Sequence, residues 1–299
     1  MIKKKMSFLI DWSKHIDLPG FKGMTLFEVG SFFIEGLEKG AITTRASSIA
    51  FNFFLALFPA LIFFFTLIPY IPIDNFQDIL LQLLGEVLPP STNEAAFSTL
   101  DDIISHPRGG LLSFGFILAL YFSTNSINSL TEAFNSSYHI SENRGMWTQR
   151  LIALGLTIAL SVMLILAIGI IVFTQIASAY FVDLGLLNES AILFIKMGKW
   201  FTLLIFLFLG LSLLFQYAPA KKSYWQFFSP GAILATLFIV ITSLGFGYYI
   251  DNFGQYNKLY GSIGTLIVIL LWMYFNAIVM LIGFELNASL YSVQETKKN

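Results

Sequence analysis

The chain has 299 residues, a mean hydropathy of +0.75, 56% hydrophobic and 12% charged side chains, and a net charge of -1. A soluble domain carries ~25% charged residues, so a single water-soluble core of this length is excluded, and the balanced charge lacks the basic excess of a nucleic-acid binder. With no cysteine there are no disulfides or thiolate metal sites, and His15, His106 and His139 stand too far apart in sequence to predict a histidine metal centre.

The chain opens Met1-Ile2-Lys3-Lys4-Lys5, but the apolar run from Met6 to Ile10 is too short for a signal-peptide core, so no cleavage is expected. Met24 to Lys39 predicts an amphipathic helix on the cytoplasmic surface. Its Phe27, Phe32, Phe33 and Leu37 would lie in the lipid interface, with Glu28, Glu35 and Lys39 towards water. Charge-free segments then lie between Arg45 and Asp74, Arg108 and Glu132, Arg150 and Asp183, Lys199 and Lys221, Lys222 and Asp251, and Lys258 and Glu285. Each exceeds the ~20 residues that cross a bilayer, and none alternates like a strand, whose open edge lipid could not satisfy. The last is the clearest: Leu259 to Phe284 is 26 residues without a formal charge, roughly 39 Å of helix at 1.5 Å per residue.

The predicted class is therefore all-α, a polytopic membrane protein with six transmembrane helices and amphipathic interfacial helices. The spans fall at about 47–69, 111–131, 151–178, 200–218, 229–250 and 261–284. A cytoplasmic segment 1–44 precedes a membrane domain 45–290, and a cytoplasmic tail 291–299 follows. Thirteen Lys and Arg collect on the side holding both termini and four on the other, so the positive-inside rule predicts cytoplasmic termini. The loop 70–108, acidic at Asp74, Asp78, Glu86, Glu94, Asp101 and Asp102, carries two short helical patterns. They are read as a cap over the bundle or, less simply, as a lid over a substrate.

Polar residues inside the spans are costly and face the bundle interior. Asn125, Asn128, Glu132 and Asn135 recur at steps of three or four along one face of the second span, with Ile127, Leu130 and Phe134 opposite. Arg45 and Asn52 stand at the cytoplasmic end of the first span, Glu285 and Asn287 at that of the sixth. Topology puts Arg45, Glu132 and Glu285 at similar depth. They form either a cytoplasm-facing substrate pocket in which Arg45 pairs with a carboxylate, or interhelical contacts worth ~0.6 kcal/mol each. Pro59 predicts a kink in the first span. Pro230-Gly231 opens the fifth, where Gly231 with Ala235 and Ser243 with Gly247 suit close helix contact. Trp147, Trp200 and Trp225 suit interfacial belts. No phosphate-cradling glycine loop, HExxH or GxSxG occurs, and no cofactor is implied.

Several stretches resemble the YihY / virulence factor BrkB family of bacterial inner-membrane proteins. They are Arg45-Ala46-Ser47-Ser48-Ile49-Ala50-Phe51 with Leu57-Phe58-Pro59; Asn128 to Tyr138 with Glu142, Arg144 and Trp147; Tyr217-Ala218-Pro219 with Lys221, Trp225 and Pro230-Gly231-Ala232; and, most specifically, Tyr260-Gly261-Ser262-Ile263-Gly264, Leu271-Trp272-Met273-Tyr274 and Gly283-Phe284-Glu285-Leu286-Asn287. The resemblance covers about Thr25 to Leu290, with Phe51, Ile263 and Phe284 departing from the usual residues. It implies a six-span protein of the bacterial inner membrane. Family members carry an old ribonuclease BN label, which needs metal-binding acids and histidines or an acid–base pair that these residues do not supply. Others are linked to serum resistance or envelope lipid export, which implies a transporter or translocation factor for an amphipathic envelope component. A non-transporting scaffold or assembly factor is the alternative, and an enzyme is not expected. Membrane lipids, a lipid-like substrate and a second copy of the chain are the expected partners.

Overall fold

The computed structural model describes residues 25–67, 109–137, 144–183, 189–220, 228–253 and 262–296. They form seven helices: α1 (Leu26–Lys39), α2 (Ile42–Leu67), α3 (Gly109–Asn135), α4 (Met146–Asp183), α5 (Glu189–Tyr217), α6 (Pro230–Phe253) and α7 (Ser262–Thr296). The acidic loop, the three histidines, Trp225, Tyr260 and Gly261 lie outside the described residues. Six helices, α2 to α7, contain stretches long and apolar enough to cross a membrane: Ile42–Phe64, Gly109–Asn135, Met146–Ser178, Met197–Tyr217, Pro230–Ile250 and Leu266–Leu290. The chain is an all-α membrane protein, and its exposed apolar residues show why. Ile158, Ile165, Phe173 and Ile176 of α4 all point outwards, a surface that only lipid solvates.

The short first helix starts on a capping box. Thr25 Oγ1 accepts from the Glu28 amide at 3.2 Å, and Glu28 Oε2 accepts from the Thr25 amide at 2.9 Å. Its Val29 and Gly36 are buried as α1 packs on α7, while Phe27 and Ile34 stay outside. Gly40 ends α1, Ala41 takes a left-handed φ of 45°, and α2 begins one residue later.

Cα packing divides the chain into two units, Phe51–Ser126 and Met1–Ala50 with Ile127–Asn299. In the first, the Gly115 backbone lies against Phe63, and the Phe63 and Phe116 rings sit 5.4 Å apart. Pro59 is buried, and α2 continues as helix through it.

In the second unit, α7 packs on α6 and α1, and α5 on α4 and α6. The α6–α7 crossing is set by glycine. A Cβ on Gly283 would stand 2.6 Å from the Gly231 carbonyl oxygen and 2.8 Å from Ala235 Cβ, so any side chain there would push the helices apart. The paired small residues predicted on α6 thus divide. Gly231 and Ala235 make the close contact, whereas a Cβ on Gly247 would meet nothing within 4 Å. Ser243 instead accepts a 3.3 Å bond from Trp272 Nε1. Next to this crossing, Phe134 stacks on Phe284 at 4.2 Å and meets Phe215 edge-on at 5.5 Å.

Candidate functional site

The polar groups of the larger unit gather where α3 and α5 end and α2, α4 and α6 begin, beside Glu285 and Asn287, which lie about three turns before the end of α7. At their centre Glu285 is 0% exposed and Arg45 8%. Glu285 Oε1 accepts from Arg45 Nη1 at 2.8 Å and Nη2 at 2.7 Å, and Oε2 accepts from Ser137 Oγ at 2.8 Å. Arg45 Nη1 also donates to the Gly40 carbonyl at 2.8 Å. Arg45 Nε is buried without a partner. Gly40 is needed for its lack of a side chain: a Cβ there would lie 2.9 Å from Arg45 Nη1 and 3.3 Å from Glu285 Oε1.

Around this pair the helix ends are joined one to another. Asn135 Oδ1 accepts from the Ala220 amide at 2.8 Å, and Arg144 Nη2 donates to the Ala218 carbonyl at 2.7 Å. Asn287 caps the start of α6: its Oδ1 accepts from the Gly231 amide at 2.9 Å and its Nδ2 donates to Ser229 Oγ at 3.0 Å. Ser229 Oγ in turn accepts from the Ala232 amide, and Pro230 takes the first helical position, where no N–H is needed. Ser48 and Ser129 share a 3.1 Å bond.

The candidate residues of the sequence therefore separate. Arg45 and Glu285 meet; Asn135 and Asn287 bond to backbone amides of the same helix-end layer. Glu132 stays exposed and accepts a 2.7 Å bond from Asn128 Nδ2, while Asn128 Oδ1 is buried without a partner. Asn52 and Asn125 pair with each other in the smaller unit, Nδ2 of Asn125 donating to Oδ1 of Asn52 at 2.9 Å. Of the motif residues, Pro219, Gly231, Gly264 and Gly283 are buried; Trp272 is exposed, and Ser262 begins α7.

Sequence reasoning missed Gly40, Ser137 and Ser229. The signal for Gly40 was a glycine between two helical patterns, and for Ser137 the polar run closing α3. Ser212 Oγ and Gln216 Oε1, one turn apart on α5, are also buried without partners. Among the described residues, no group of three His, Asp or Glu could hold a metal ion. An apolar cavity of about 280 Å³ lies between α4 and α5, lined by Leu160, Met163, Ala167, Leu203, Phe206 and Gly210 among others.

Residues 33–299 match the family model described as Virulence factor BrkB. The chain is 32% identical over 255 residues to the Putative ribonuclease-like protein YfkH of Bacillus subtilis, covering 83% of this chain and 90% of that one. It is 24% identical over 270 residues to a UPF0761 membrane protein of Aggregatibacter aphrophilus, covering 89% and 93%. To a UPF0761 membrane protein of Stenotrophomonas maltophilia it is 26% identical over 269 residues, covering 87% of this chain and 60% of that longer one. No solved structure matches the chain.

Proposed function

The chain belongs to the Virulence factor BrkB family, and from that premise we propose that it moves an amphipathic, lipid-like envelope component across the bacterial inner membrane. The Arg45–Glu285 pair is the closed latch of its cytoplasmic polar layer. One observation carries this: a charged pair sealed from solvent at the helix ends of a membrane protein. Burying two charges costs several kcal/mol per ion, and apolar replacement of such a pair is often neutral or stabilising. A pair kept in such a place is read first as functional. Its cation suits a phosphate or carboxylate headgroup. The excess of Lys and Arg, 13 against 4, supports placing this layer and both termini in the cytoplasm.

A second reading, a non-transporting scaffold, is favoured by one observation: Asn135, Asn287, Ser137 and Arg144 bond to groups on other parts of the chain. Purified full chain in liposomes that carry a trace of fluorescent phospholipid separates the two. Translocation, read as the fraction of label quenched from outside, should exceed that of protein-free liposomes and fall in Arg45→Lys. Equal rates with and without protein would leave the scaffold. We read the chain as a non-enzyme. RNA hydrolysis needs an open acid–base pair or metal ligands, whereas Glu285 is sealed between Arg45 and Ser137.

A further inference from the structure

The cavity between α4 and α5 is a groove made from one stripe of each helix. Leu160, Leu164 and Ala167 on α4 face Leu203, Leu207 and Gly210 on α5. Each set recurs at steps of four and three, which is one face of a helix. Ala167 and Gly210 are buried and form the floor, whereas Leu164 and Leu203 are exposed at the rim, so the groove opens sideways. A Cβ on Gly210 would lie 3.5 Å from Leu160 Cδ2, an ordinary contact, so the glycine leaves space there that close packing does not require. Both helices contain spans, and beside that opening lies lipid, not water. The volume of about 280 Å³ sits just below the ~300–1,000 Å³ of small-molecule pockets and is lined by apolar residues throughout.

A cation stands at one end of the same stripe. Lys199 precedes Leu203 by one turn, which puts it on the groove face of α5, and it is exposed. Among the described residues no carboxylate pairs with it. Helix α4 adds no charge here, being uncharged from Leu151 to Val182. Depth points the same way. At 1.5 Å per residue, Lys199 stands roughly 27 Å along α5 from Tyr217, close to the ~30 Å of a hydrocarbon core. From Lys199 to Gly210 is roughly 16 Å, the depth of one leaflet. The neighbouring Trp200 is exposed, as suits the headgroup level.

We infer that the α4–α5 groove binds one anionic phospholipid from the leaflet at the Lys199 end of α5. One acyl chain lies along the groove from Leu203 to Gly210, and the phosphate meets Lys199. An apolar groove by itself accepts any chain; the ammonium at its mouth selects a headgroup of opposite charge. The long lysine stem lets that charge reach headgroup level while its base stays on the apolar face. This site lies at the end of α5 away from the helix-end polar layer, so it is separate from the Arg45–Glu285 pair. It does not rest on translocation, since a fixed structural lipid fills it as well as a cargo does. Only the assignment of that leaflet to the outer side rests on the proposed orientation.

The test uses the full chain in nanodiscs holding equal parts of phosphatidylglycerol and phosphatidylcholine, released and weighed by native mass spectrometry. One phosphatidylglycerol retained per chain, in preference to phosphatidylcholine, is expected. Lys199→Gln, at an exposed position, should weaken that preference about tenfold, and Lys199→Arg should restore it. Gly210→Leu fills the floor and should abolish retention of either lipid. Gly210→Ala, whose Cβ has room, should weaken retention and keeps the test readable if the leucine variant fails to fold. Val162→Phe adds bulk on the exposed opposite side of α4 and should change nothing. Both lipids retained alike, with no change in Lys199→Gln or either Gly210 variant, would be loosely held bulk lipid and overturns the inference. Retention that falls in Lys199→Gln but in neither Gly210 variant overturns it too, because the headgroup is then held with the groove empty. Failure of translocation with phosphatidylglycerol still bound would count against the proposed function and leave the site standing.

Discussion

Removing one member of the Arg45–Glu285 pair should be far more damaging than removing both. Arg45→Met leaves the Glu285 carboxylate, 0% exposed, with Ser137 as its remaining side-chain donor; Glu285→Leu leaves the guanidinium with the Gly40 carbonyl. A buried charge stripped of its partner costs about 3–5 kcal/mol. The double variant Arg45→Met with Glu285→Leu removes both charges and their desolvation, a change that ranges from neutral to about 4 kcal/mol stabilising. Against that gain stand the Gly40 carbonyl and Ser137 hydroxyl, which lose partners at about 1 kcal/mol or more each. The double variant should therefore lie within about 2 kcal/mol of wild type. The double-mutant cycle should show a coupling of several kcal/mol, against the ~0.5 kcal/mol within which independent sites add. Equilibrium unfolding in mixed micelles, followed by far-ultraviolet circular dichroism, measures all four proteins. Single variants that each lose under about 1 kcal/mol would mean the pair behaves as a solvated surface bridge. A double variant no better than the worse single would refute the desolvation account. If the double variant is stable yet inactive in translocation, the pair serves function and not folding.

Four further changes probe the framework around the pair. Gly283→Ala should lose about 1–3 kcal/mol in the same unfolding assay, because its Cβ would stand 2.6 Å from the Gly231 carbonyl oxygen. Gly245→Ala, whose Cβ would meet nothing within 4 Å, should be neutral or gain up to about 1 kcal/mol; the reverse order would place the crossing elsewhere on α6. Asn287→Ala unpairs the buried Gly231 amide and should cost about 1–3 kcal/mol, with amide exchange at the start of α6 speeding up while that of α1 does not. Phe134→Ala empties a fully buried site against Phe284 and Phe215, and thermal unfolding should show a loss of about 3–5 kcal/mol.

Six spans were legible in the sequence because lipid is a simple solvent. A helix that crosses it must be apolar for ~20 residues, a local property that needs no knowledge of neighbours. Chemistry also marked Arg45 and Glu285, since a charge at a span end is conspicuous in a chain with so few. Their pairing was not legible. Glu132 and Glu285 offered Arg45 equal topological claims, and the partner is 240 positions away. The choice follows from how α3 is turned. Leu130, Thr131 and Phe134 are all 0% exposed, and burying them turns Glu132, which sits between them on the helix, to the outside.

Small residues tell the same story. Gly231 and Gly247 look alike as letters in α6, yet only Gly231 meets another backbone. Gly40 ends α1 and also leaves room for the guanidinium and carboxylate beside it. The sequence by itself determined that this chain is a helical membrane protein with six helices long and apolar enough to cross, because hydrophobic length is written locally. The tertiary structure alone decided which carboxylate meets Arg45 and which glycine sets a crossing, because those depend on the rotation of each helix about its axis, and only packing against the others sets that.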